Sequence, residues 1–167
     1  IAIRDKSDKH VRTAILSSVR DDAAPLLDAL VRRDAFGDGS GDQLLAELVG
    51  LIAARGEQAE IDQVMALTTS TQVPTQSRYA VALRLAHGIT RSGNSFDKTL
   101  DRQPKDTRHH FERLLQQARD DAVDQRQDTD LRRQAIELLQ FDEWSQVRES
   151  LIDLLSAQQP TEVQLAA

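Results

Sequence analysis

The spacing of the apolar residues constrains this chain more than any other feature. They recur every third or fourth position in segment after segment, and no stretch alternates apolar with polar. A period near 3.6 buries one face of a helix, whereas a half-buried strand needs a period of 2. Val11, Ala14, Ile15 and Val19 mark a first face near 9–20, and Leu26, Leu27, Leu30 and Val31 a second near 23–33. Leu44, Leu45, Leu48, Val49 and Ile52 follow up to Gly56, then Ile61, Val64 and Met65. Tyr79, Ala82, Leu85, Ala86 and Ile89 give a helix near 76–91. A long helix near 106–126 carries Phe111, Leu114, Leu115, Ala118 and Ala122. Three further stripes begin at Leu131, at Val147 and after Pro160. Gly- and Pro-bearing stretches near 36–41, 70–76 and 92–105 read as connections, and within the last of them Phe96 and Leu100 could make one short helical turn before Pro104.

Composition agrees with that reading. Gly and Pro together number 11, while 21 Leu, 20 Ala, 17 Arg and 16 Gln supply good helix formers. The expectation is an all-α fold of eight or nine short helices, forming one domain over 1–167. The start, Ile1-Ala2-Ile3-Arg4-Asp5, has neither an initiator Met nor a signal-peptide core, and 162–167 still reads as helix, so a piece of a longer chain is expected.

Other properties exclude function classes. With no cysteine, the segment has no disulfide, thiolate-ligated zinc, iron–sulfur cluster, thiol nucleophile or covalent c-type haem. The formal charge is −6, and Arg is interleaved with Asp along the whole chain, which reads as a solvated mixed-charge surface rather than the basic face of a nucleic-acid binder, with a local basic face as the alternative. No apolar run approaches the roughly 20 residues that span a bilayer.

Internal repetition separates a bundle from an array. An aliphatic residue falls at Leu131, Val147 and Val163, each 16 after the last, followed by Arg132, Arg148 and Gln164. Asp130 leads the first of these, and Ala135, Leu151 and Ala166 supply the packing positions. Asp8, Val11, Arg12 and Ala14 repeat the sentence near the N-terminus. The Asp would accept free N–H groups at the helix start. The aliphatic residue would bury, and the Arg would lie across the junction to bond the Asp or a carbonyl of the adjacent unit.

These residues resemble the helix signature of HEAT-like repeats, including the short variety of phycobilisome lyases. The stretch 131–167 is similar, more narrowly, to the helical region of large bacterial proteins described as membrane-bound dehydrogenases. The motifs are Ala135-Ile136-Glu137-Leu138-Leu139, Leu151-Ile152-Asp153-Leu154-Leu155 and Gln159-Pro160-Thr161-Glu162-Val163-Gln164-Leu165-Ala166-Ala167. The match covers the last forty residues well, the first thirty recognisably, and 56–126 thinly. The resemblance implies an α–α superhelix of about four helix pairs, and an exported or membrane-associated parent joining a propeller and a haem domain. Neither of those domains is in this sequence, so no redox role passes to any residue.

Other candidates carry less. His109 and His110 are adjacent on a helix, about 100° apart, and cannot easily share a metal. His10 and His87 lack companions at ligand spacing. Asp120, Asp121, Asp124 and Asp128 form an acidic row, and Arg119 and Arg126 among them suggest exposed ion pairs. The loop 37–42 lacks the last ligand of a calcium loop and the Lys of a phosphate loop. Ser18, Ser77 and Ser95 have no His/Asp context. Trp144 and Phe141 read as packing at a turn, though an exposed indole would suit a protein partner. No catalytic, cofactor or metal residue is assigned. The function expected is a non-catalytic scaffold that docks protein, either other domains of its parent or a separate chain. A HEAT-like enzyme or DNA-binding module, and a passive spacer, are the alternatives.

Overall fold

A computed structural model describes residues 8–19, 23–33 and 42–167; the predicted loop at 36–41 lies outside them. Of the described residues 79% are helical and none is in a strand. They form two compact units, Ile1–Gln103 and Pro104–Ala167.

The first unit contains α1 (Lys9–Ser18), α2 (Ala23–Arg32), α3 (Asp42–Arg55), α4 (Gln58–Thr69), α5 (Thr75–Arg91) and α6 (Phe96–Asp101). The last of these lies inside the stretch read from sequence as a connection. Its six residues carry too little periodicity to be told from a turn, but Ser95 caps it by accepting from the Lys98 N–H at 3.3 Å. α5 is the centre of the unit, packed by α3, α4 and α6. Tyr79, Val81, Ala82, Leu85, Ala86 and Ile89 are therefore all buried. Burial on several sides, rather than one stripe, is what a central helix requires.

The second unit contains α7 (Lys105–Val123), α8 (Thr129–Leu138), a 3₁₀ turn (Leu139–Phe141), α9 (Trp144–Leu154) and α10 (Thr161–Ala166). α8 packs against both α7 and α10, and α9 packs on α7. Phe111, Leu114, Ala118, Ala122, Ala135, Leu138, Val147, Leu154 and Val163 form its core.

Local chemistry sets the helix ends. Pro74, Pro104 and Pro160 sit at the N-caps of α5, α7 and α10, with φ between −52° and −55°. Proline there lacks only an N–H that the helix would leave orphaned. Gly56 closes α3 with φ +68° and Gly93 follows α5 with φ +82°. The Asn94 N–H then reaches back to the Ile89 carbonyl at 3.2 Å, closing the last turn of α5.

Two glycines in helix interiors behave oppositely. A Cβ on Gly88 of α5 would lie 2.6 Å from the Ala53 Cβ of α3, so only Gly lets these helices cross this closely. A Cβ on Gly50 of α3 would meet nothing within 4 Å. Gly50 thus carries the helix-propensity penalty of about 1 kcal/mol without a packing reason. Urea unfolding is expected to show Gly88→Ala destabilising by about 1–3 kcal/mol and Gly50→Ala stabilising by up to about 1 kcal/mol.

Candidate functional site

The signature residues divide by what they do. Asp8 caps α1, its Oδ1 accepting from the His10 N–H at 2.7 Å and the Val11 N–H at 3.1 Å. In α8 the same role falls to Asp128, which accepts from the Asp130 N–H at 2.9 Å. Asp130 is not the cap: it is the second residue of the helix. Counted from the caps, Val11-Arg12 and Leu131-Arg132 occupy identical places, the third and fourth helical residues. Val163-Gln164 does the same in α10.

α9 departs from that register. Its cap is Glu143, so Val147-Arg148 stand at the fourth and fifth places. One residue turns a side chain by about 100°. Arg148 is exposed, while Arg12 and Arg132 are buried. The even 16-residue spacing in sequence therefore conceals a change of phase. Ala14 is also exposed, so α1 does not pack through it, and its buried residue is Arg12. Ala135 is fully buried, whereas Leu151 and Ala166 are half-buried.

The two buried guanidiniums bridge elements. Arg12 Nε lies 3.5 Å from a carboxylate oxygen of Glu47 on α3. Arg132, 3% exposed, donates from Nε to the Ala122 carbonyl at 3.0 Å and from a terminal nitrogen to Gln159 Oε1 at 2.8 Å. Ala122 belongs to the last turn of α7, whose carbonyls have no partner within the helix. Gln164 continues the network, donating to the carbonyls of Ser156 at 3.0 Å and Gln159 at 2.8 Å. Arg132 and Gln164 together tie the end of α7, α8, the turn after α9 and α10 into one polar network.

The remaining sequence candidates do not converge. His10, His109 and His110 are exposed, and among the described residues His109 pairs with Glu112 of its own helix at 3.5 Å. The acidic row is split. Asp120 accepts from Gln116 at 3.1 Å, Asp121 is buried and accepts from Gln127 at 3.3 Å, and Asp128 is a cap. Asp124 pairs with the exposed Arg126, whose guanidinium first and backbone N–H second hold its carboxyl below the ordinary value. Arg119 differs from expectation: it pairs with Asp142 in the turn before α9, largely out of solvent. Among the described residues no three His, Asp or Glu side chains gather as a metal site. Nor is any described helix long and apolar enough to cross a membrane. The Ser18 hydroxyl donates to the Ile15 carbonyl at 2.8 Å, Ser95 caps α6, and Ser77 is buried. The loop at 37–41 lies outside the described residues.

Trp144 is not packing at a turn. It opens α9 with 65% of its surface exposed, and Ile152 and Leu155, about two and three turns further on, are exposed as well. At 100° per residue the three fall within about 80° of one another. They form an apolar stripe in which the exposed Arg148 stands between Trp144 and Ile152, with the exposed Glu149 at its Ile152 edge and Asp153 about 100° beyond Ile152.

A cleft of about 340 Å³ opens between α3 and α5. Ala46, Gly50 and Ala54 form its floor, and Arg84, His87 and Arg91 its wall. His87 has no metal-ligating companion in the sequence. The signal it does carry is cationic: residues 84, 87 and 91 share one helix face.

No family model matches this chain, and no curated protein or solved structure matches it either.

Two outcomes test the signature. Replacing Arg132 with Ala strands the Ala122 carbonyl and Gln159, and should cost about 2–4 kcal/mol in chemical unfolding. Arg148→Ala should stay within about 0.5 kcal/mol. For Asp8, the Val11 N–H first and the His10 N–H second lower its carboxyl below the ordinary 3.8. A lowered folded value means that the cap's contribution is complete above 3.8 and disappears as pH falls through the folded value. NMR amide shifts of His10 and Val11 should follow that loss, and Asp8→Asn should abolish the titration.

Proposed function

We propose that this chain is a HEAT-like scaffold, an α–α superhelix of helix pairs with no catalysis of its own, which docks an amphipathic protein helix on α9. The common register of α1, α8 and α10 supports the repeat part of this reading. So does the bridging Arg132, since an array must tie each helix end to the next unit.

The observation that carries the docking part is the face of Trp144, Ile152 and Leu155. An exposed indole on one helix face with two aliphatic side chains is the composition of an interface anchor, because burying it against a partner removes large apolar area from water. Arg148 within this face and Glu149 at its edge form no ion pair among the described residues and select the partner's chemistry. A helix with apolar residues at i, i+3 or i+4 and i+7, an acid to meet Arg148 and a Lys or Arg to meet Glu149 meets both demands. Such a helix belongs to another domain of the parent chain or to a separate protein.

Trp144 is the sole tryptophan, so its fluorescence reports docking directly. Titration with an amphipathic helical peptide that carries an acid to meet Arg148 and a lysine to meet Glu149 should shift the emission to the blue and saturate, with affinity falling as salt rises. Arg148→Glu with Glu149→Lys should weaken binding about tenfold or more, while Trp144→Ala should abolish it as read by calorimetry. A peptide with the same apolar face and its two charges exchanged binding equally well would refute the charge argument. Absence of any binding would leave a passive spacer. Turnover, or stoichiometric haem or metal uptake by the purified chain, would overturn the scaffold reading.

A further inference from the structure

We propose that the cleft between α3 and α5 binds a small phosphomonoester, with Arg84 and Arg91 holding the phosphate and the floor on α3 receiving the organic part. Three observations converge on this site. First, the chain carries a net charge of −6, yet the titratable side chains of the cleft are two arginines and a histidine, with no acid among its lining residues. Neither Arg84 nor Arg91 has an ion-pair or hydrogen-bond partner among the described residues. On α5 they stand two turns apart, about 10 Å along the axis, with His87 between them. Long side chains at that spacing converge on one anion, and the guanidinium fork matches phosphate oxygens pairwise.

Second, the cleft has the build of a small-molecule site. Its volume of about 340 Å³ falls at the low end of the range for such sites, and an apolar floor meeting a few polar groups is their usual composition. Inorganic phosphate alone would leave Ala46 and Ala54 uncovered, so the floor favours an ester over the free ion.

Third, Gly50 is unexplained by packing. The tight crossing nearby requires Gly88, where a Cβ would sit 2.6 Å from Ala53, but Gly50 faces open space. A helix that accepts an interior glycine without a steric need is keeping that space open. Gly50 lines the cleft, and the side chain it lacks would project into open space.

The experiment is calorimetric titration of the full chain at low salt with phenyl phosphate, inorganic phosphate, benzoate and benzyl alcohol. Phenyl phosphate should bind saturably, inorganic phosphate about tenfold more weakly, and benzyl alcohol not at all. Both arginines are exposed, so the double variant Arg84→Gln with Arg91→Gln should fold normally and lose about tenfold or more in phenyl phosphate affinity. Gly50→Leu should abolish phenyl phosphate binding without lowering the unfolding midpoint. Binding by the double variant equal to the parent's, benzoate bound more tightly than phenyl phosphate, or no binding by the parent would each overturn the proposal.

Discussion

Seven of the ten described helices are twelve residues or shorter, a length at which an isolated helix is marginal in water. Every other feature of the fold follows from that shortness. Each helix persists only by burying a face against its neighbours, and each adds two ends whose backbone groups need partners. A chain of many short helices is therefore a chain of many ends, and the polar chemistry of this protein is concentrated there. Asp8 and Asp128 serve N–H groups, glycines with positive φ close α3 and follow α5, and Arg132 and Gln164 serve carbonyls across gaps that no backbone bond can span.

The same demand separates structural from available charge. Arg12, Arg119 and Arg132 are committed to contacts within their units. Among the described residues Arg84 and Arg91 make no such contact, although they are the same residue type. What differs is their surroundings: the committed arginines face carboxylates or orphan carbonyls, whereas the other two face a cleft floored by alanine and glycine. The exposed apolar face of α9 is the counterpart on the hydrophobic side, a stripe of the kind other helices bury, left open at Trp144.

Helix positions were legible because a 3.6-residue period is a property of consecutive residues. α5 and α7 fall close to where the apolar stripes put them. α6 was legible only as one short helical turn from Phe96 and Leu100, since six residues make less than two turns and cannot establish a period. The division of the chain into two units leaves no mark in the periodicity either, because a boundary is an absence of contacts. The signature was partly legible. Asp8 and Arg12 act as their residue types suggest, but the cap of α8 had to be found at Asp128, and Arg148 has the right letter in the wrong phase.

By itself the sequence determined the all-helical class, the turn chemistry at Pro74, Gly56 and Gly93, and the lack of any thiol chemistry. Each of these depends on a residue and its near neighbours. Tertiary structure alone decided which arginines are buried, which glycine is needed for a helix crossing and which is not, and that residues 84, 87 and 91 look onto residues 46, 50 and 54. Those outcomes depend on pairs of elements distant in the chain, whose mutual approach is set by packing and leaves no periodic trace in either partner.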